Sequence, residues 1–133
     1  MTYTFVEHTG ELELQLEAPT LPELFAEAGR ALAELMIENG GGPETVHVDL
    51  TVHARDQAAL LVSWLDELIY RAETEHAVFT RFDITSLTDT DLAAKIHGIT
   101  PSAFQSPVKA ATYHRLQLAS RGGAFTATVV LDV

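Results

Sequence analysis

Two stretches of the chain alternate polar with apolar residues, and two others repeat apolar residues at helical spacing. Glu11-Leu12-Glu13-Leu14-Gln15-Leu16-Glu17 alternates without a break, so Leu12, Leu14 and Leu16 share one strand face and the polar residues the other. Thr2 to Val6 is rich in β-formers and predicts a shorter strand before it, separated by Thr9-Gly10. Leu21, Leu24, Phe25, Ala28, Leu32, Leu35 and Met36 follow a helical repeat. Thr20-Leu21-Pro22-Glu23 opens that helix as a capping box with proline in the first turn. Asn39 and Gly40 to Gly42 end it, and Pro43 keeps it ended. The glycines lack the spacing and the Lys-Ser/Thr of a phosphate-binding loop. Val46 to His53 alternates again as a third strand. Asp56 then caps a second helix whose stripe is Leu60, Leu61, Trp64, Leu65, Leu68, Ile69 and Ala72, a core face.

Four more strands are expected at Val78–Ser86, Leu92–Ile99, Val108–Ala119 and Ala124–Val133. Thr88-Asp89-Thr90-Asp91 and Arg121-Gly122-Gly123 supply turns, and Pro101 to Pro107 a loop. The predicted order is ββαβαββββ. Short turns between successive strands imply an α+β fold, a largely antiparallel sheet with two helices packed on it.

Composition narrows the chemistry. At 133 residues the chain fits one domain, 1–133, and 47% hydrophobic residues suffice for a core. The absence of cysteine excludes disulfides, thiolate zinc sites and a cysteine nucleophile. The N-terminus has no basic region followed by an apolar one, and no apolar run approaches the roughly 20 residues of a membrane span. The expectation is a cytoplasmic protein with no membrane contact. A formal charge of −11 disfavours direct nucleic-acid binding, because phosphate contacts dominate that affinity. It favours a basic protein partner or a bound cation, although acidity can also serve solubility alone.

Three places could carry chemistry. Glu7-His8-Thr9-Gly10-Glu11 sets two carboxylates, an imidazole and a hydroxyl around a turn, as an ordinary polar turn also would. Lys109-Ala110-Ala111-Thr112-Tyr113-His114 holds one of only two lysines; along an ideal strand His114 shares the face of Leu116 and Leu118 and points inward. At Leu131-Asp132-Val133 a side-chain carboxylate stands beside the final residue's carboxylate, a pair of anionic groups that suits a hard cation such as Ca²⁺ or Mg²⁺. Glu11 is the candidate third carboxylate. A frayed terminus would read the same way. No Ser-His-Asp order, H-E-x-x-H, G-x-S-x-G, Walker or dinucleotide fingerprint occurs.

Taken in order, these places resemble the signatures of the archease family. Glu7-His8-Thr9-Gly10-Glu11 is similar to its E-H-T-A-D, and Leu60 to Tyr70 to its L-L-V-x-W-L-N-E-L-L-Y helix. Val108 to His114 is similar to its V-K-A-x-T-Y-H strand, and Leu131-Asp132-Val133 to its terminal L-D-V/I. The resemblance spans essentially the whole chain. It implies a non-enzymatic cofactor of the RtcB-type RNA ligase, which joins RNA 2′,3′-cyclic-phosphate or 3′-phosphate ends to 5′-hydroxyl ends in tRNA splicing and RNA repair. Such a cofactor promotes GTP-dependent guanylylation of the ligase and its multiple turnover. It also implies a divalent metal, Ca²⁺ or alternatively Mg²⁺, held by Glu11, Asp132 and an oxygen of Val133, and a functional lysine at Lys109. His8, Tyr113 and His114 join Lys109 on the surface that would activate the partner. The chain departs from the pattern at Gly10, Glu11 and Asp66, where the family carries Ala, Asp and Asn. The alternatives are a general chaperone-like modulator of nucleic-acid enzymes and a small metal-dependent hydrolase using Glu11, Asp132 and His8 or His114.

Overall fold

The structure, a computed structural model, describes residues 1–37, 42–101 and 107–133. Its elements run β1 (Thr2–His8), β2 (Glu11–Ala18), α1 (Leu21–Met36), β3 (Val46–His53), α2 (Gln57–Glu75), β4 (Val78–Leu87), β5 (Asp91–Ile99), β6 (Ala110–Arg121) and β7 (Ala124–Asp132). This is the expected order, ββαβαββββ. Every pairing is antiparallel, but the strands divide into two sheets, β1-β2-β7-β6 and β3-β5-β4. Sequence order alone cannot show that division, because β7 returns to pair with β2 across more than a hundred residues. The residues expected to end α1 at Asn39 to Gly41, and most of the loop between Pro101 and Pro107, lie outside the described residues.

Local chemistry explains where the elements start and stop. The Thr20 hydroxyl accepts the Glu23 N–H at 3.3 Å and donates to the Glu23 carboxylate at 2.9 Å, so the box satisfies an orphan donor of the first turn. Asp56 caps α2 by accepting the Ala59 N–H at 2.8 Å. Its far end is His76, in the left-handed region at φ 51. The β6–β7 hairpin closes on Gly122 and Gly123 with φ 59 and 80, a pair of positive angles that fits the right-handed strand twist.

The core lies between the sheets and the helices. α1 packs on β2 and β4, and α2 on β6 and β3, so each helix bridges both sheets. Trp64 of α2 is fully buried, donates its indole N–H to the Phe25 carbonyl at 2.8 Å, and meets Phe82 of β4 edge-to-face at 5.8 Å. Gly29 of α1 makes room for the same ring: a Cβ there would stand 2.8 Å from Phe82. No described helix is long and apolar enough to cross a membrane.

Candidate functional site

The hairpin β1–β2 turns on Gly10, whose φ of 74 is one that side chains rarely adopt. That turn places His8 directly opposite Glu11. Glu11 is in turn the register partner of Asp132, and Asp132 that of Ala110. One row across the four-stranded sheet therefore reads His8, Glu11, Asp132, Ala110. Leu12, Leu14 and Leu16, with Leu131, Val129 and Ala127, take the inner face, so Glu11 and Asp132 share the outer one. The second row is Val6, Glu13, Val130 and Thr112. Candidates from the first hairpin and from the last strand thus meet in one row.

Two carboxylates directly opposite one another on a sheet repel, and some positive charge must offset them. Part of it comes from Arg115, which the sequence reading had not selected. Its Nη2 donates to Glu11 at 3.0 Å and its Nε lies 3.5 Å from Glu13. β7 separates β6 from β2, so the Arg115 side chain crosses the whole width of β7 to make these contacts. Val130, the register partner of Glu13, is outward by register yet only 1% exposed. The stem of a long cationic residue covers apolar surface well while its head stays with charge.

Arg115 can reach because β6 carries a wide bulge. Thr112 pairs with Val130 and Gln117 with Thr128, so the four residues from Tyr113 to Leu116 face Val129 alone. Arg115 itself sits at φ 53. The bulge corrects one expectation. His114 does not point inward: alternation fails across the inserted residues, and Tyr113, His114 and Arg115 are all exposed. The Arg115 Nη1 and His114 Nε2 are 2.8 Å apart, and the Arg55 guanidinium stacks 5.5 Å from the centre of the Tyr113 ring. The bulge is thereby held on both flanks.

Lys109 lies just before β6, exposed, with its N–H donating to the Asp132 carbonyl at 2.8 Å. Its side chain makes no ion pair among the described residues, and neither does the Asp132 carboxylate. The start of β6 is fixed from below by α2, where Asp66 accepts the Ala111 N–H at 2.7 Å. Burial raises the Asp66 carboxyl above its ordinary value, and the Ala111 hydrogen bond opposes part of that rise. Asp66 thus clamps the backbone that positions Lys109 and lies beside Asp132.

The donor set suits the implied divalent ion. Glu11 and Asp132 offer only carboxylate oxygens, the preference of a hard cation, and the Asp132 carboxylate makes no ion pair among the described residues. Glu11 is shared with Arg115, so an ion there would compete with, or sit beside, a built-in guanidinium. Val133 follows Asp132 at the exposed end of the same strand.

A model of the Archease protein family matches residues 3–133. Curated relatives include Protein archease of Methanosarcina mazei, 26% identical over 98% of this chain and 95% of its own length. Protein archease of Pyrobaculum islandicum is 29% identical with the same coverage of both chains. Among solved structures, the solution structure of protein 1598 from Methanobacterium thermoautotrophicum superposes with a TM-score of 0.69 at 25% identity, covering 98% of each chain. The crystal structure of an archease from Thermotoga maritima, described as a possible chaperone, shares the fold with a TM-score of 0.68 at 18% identity, over 96% of this chain and 94% of that one. With the family pattern matched from the first strand to the last residue, this chain belongs to the archease family.

Proposed function

We propose that this protein is a non-enzymatic activator of a GTP-dependent RNA ligase of the RtcB type, promoting ligase guanylylation and turnover in tRNA splicing and RNA repair. The observation that carries the reading is the row His8, Glu11, Asp132, with Lys109 bonded to the Asp132 backbone: the family's first, third and last signatures converge on one end of one sheet. In this reading Glu11 and Asp132, with an oxygen of Val133, hold a divalent cation, Ca²⁺ or Mg²⁺. Such an ion would supply positive charge to a nucleotide phosphate when the two proteins are docked. The chain's own residues do the rest. Asp132 offers carboxylate oxygens with no ion pair among the described residues, Arg115 steadies Glu11 and Glu13 against mutual repulsion, and exposed Lys109 is held by its backbone to the Asp132 carbonyl. The charge of −11 steers encounter with a basic, RNA-binding partner.

The test is guanylylation of the purified ligase by GTP with substoichiometric amounts of this protein. Wild type is expected to stimulate, and Asp132→Ala to lose on the order of tenfold or more of that stimulation. An Asp132→Ala protein as active as wild type would remove the site from the mechanism. A second reading, a broader chaperone of nucleic-acid enzymes, takes its support from the description of the Thermotoga maritima relative. It moves ahead if wild type leaves the ligase unchanged and stimulates an unrelated RNA-modifying enzyme.

A further inference from the structure

The second sheet carries a different constellation on its outer face. His47 of β3 and His97 of β5 are register partners, and Arg81 of β4 is the partner of His97 on the other side. The two imidazoles approach with Nδ1 atoms 2.7 Å apart and ring planes 67° to one another. Glu44, just before β3, joins them, so that one donor atom from each of Glu44, His47 and His97 falls within 4.8 Å of the others. Behind this trio stand two supporting groups. Asp83 lies 2.9 Å from Nε2 of His97, and Arg81 donates to both oxygens of Glu44 at 2.8 and 3.0 Å and to Asp83 at 3.0 Å. Hydrogen bonding from Arg81 holds the Glu44 carboxyl below its ordinary value.

We propose that Glu44, His47 and His97 form a site for a borderline divalent transition-metal ion of the Zn²⁺ class, separate from the carboxylate row of the other sheet. Two imidazole nitrogens with one carboxylate oxygen is the donor set of many three-residue zinc sites, with water completing the tetrahedron. The two Nδ1 lone pairs cannot face one another without a proton or a cation between them. Zn–N bonds of about 2.0–2.1 Å in a tetrahedron set the nitrogens about 3.3 Å apart, so the rings need part by only about 0.6 Å. Asp83 is placed as the outer carboxylate of a carboxylate–histidine–metal relay: it fixes the His97 tautomer with the proton on Nε2 and leaves Nδ1 free to ligate. His97 is 14% exposed at its side chain, so its ring is already set by the fold, whereas His47 and Glu44 are exposed and can close on an ion. A bound ion would tie β3, an edge strand, and the segment before it to β5.

The experiment titrates the full chain with Zn²⁺ by calorimetry and with Co²⁺ by visible absorption. One ion per chain is expected, with the intense Co²⁺ bands of low-coordinate nitrogen–oxygen ligation. Binding should weaken at least tenfold in His47→Gln and in His97→Gln, and about 10–100-fold in Asp83→Asn. It should persist in Asp132→Asn. Circular dichroism checks that each variant folds, and exposed His47 carries the test if His97→Gln does not fold. Absence of Zn²⁺ and Co²⁺ uptake overturns the proposal, as does uptake unchanged in the histidine variants. Uptake lost in Asp132→Asn instead places the ion in the carboxylate row and also overturns it.

Discussion

The two sheets each present a polar row outward, and the rows differ in donor atoms and in how far their charges are neutralised. On the four-stranded sheet, Glu11 and Glu13 share Arg115, and the Asp132 carboxylate makes no ion pair among the described residues. On the three-stranded sheet, Glu44 and Asp83 are both paired with Arg81, and His97 is engaged on both ring nitrogens. The first row is open oxygen chemistry, suited to a hard ion and to a cationic partner. The second is a tightly bonded nitrogen–oxygen cluster, suited to a borderline ion. Antiparallel register builds both, since it aligns residues from distant segments in one line. What separates them is which side chains the register happens to align, and whether a nearby arginine closes the row.

That contrast can be broken one side at a time. Asp132→Ala is expected to have the largest effect, a loss of on the order of tenfold or more in ligase stimulation with Zn²⁺ uptake unchanged, measured in parallel on one preparation. Gly98→Ala attacks the other sheet. Its Cβ would stand 2.7 Å from the Val78 carbonyl oxygen, backbone that cannot simply rotate away. The variant should lose about 1–3 kcal/mol in denaturant unfolding and weaken Zn²⁺ uptake while ligase stimulation by the folded protein survives. Arg115→Gln sharpens the oxygen row. Without the guanidinium, Glu11 and Glu13 lose their fixed counter-charge, so Ca²⁺ affinity should rise several-fold, and stability at low salt should fall by no more than about 1 kcal/mol. Unchanged or weaker Ca²⁺ binding would mean that Arg115 helps hold the site's shape rather than competing for it.

The smallest effect is expected at Asp66. Its folded carboxyl titrates above the ordinary value because burial penalises the charge. The folded state therefore binds its proton more readily than the unfolded chain does. Above the folded value the penalty is present in full, and it is relieved as pH falls through that value toward the unfolded one. Asp66→Asn keeps an oxygen to accept the Ala111 N–H and removes the charge. It should raise the melting temperature by about 2–4 °C at neutral pH, a gain that shrinks as the solution is acidified. A gain that does not shrink would assign the effect to something other than ionisation.

Much of this molecule could be read from the chain. Leu12, Leu14 and Leu16 alternate because one sheet face is buried, and they are found there. Thr20 and Asp56 stop short of their helices because a side-chain oxygen is needed where the first N–H groups have no partner, and both act as caps. Glu11 and Asp132 were visible as candidate oxygen donors by their chemistry, but nothing in their spacing showed that they meet. His114 was misplaced and Arg115 passed over for a single reason: a bulge leaves no periodic trace, and parity along β6 past Thr112 depended on its absence. His47 and His97 each look like one outward residue of an alternating strand, and nothing local says that they face each other.

Local free energies determine what the sequence alone determined: which segments are strands or helices, where the caps and glycine turns fall, and which faces seek a core. These depend on residues within a few positions of each other. The division into two sheets, the return of β7 to β2, the row joining His8 to Asp132, the crossing of Arg115 over β7 and the meeting of two imidazoles were decided by tertiary structure. Each is a contact between segments far apart in the chain. Register is selected by burying all the apolar faces at once, so no single segment carries the information that places these groups together.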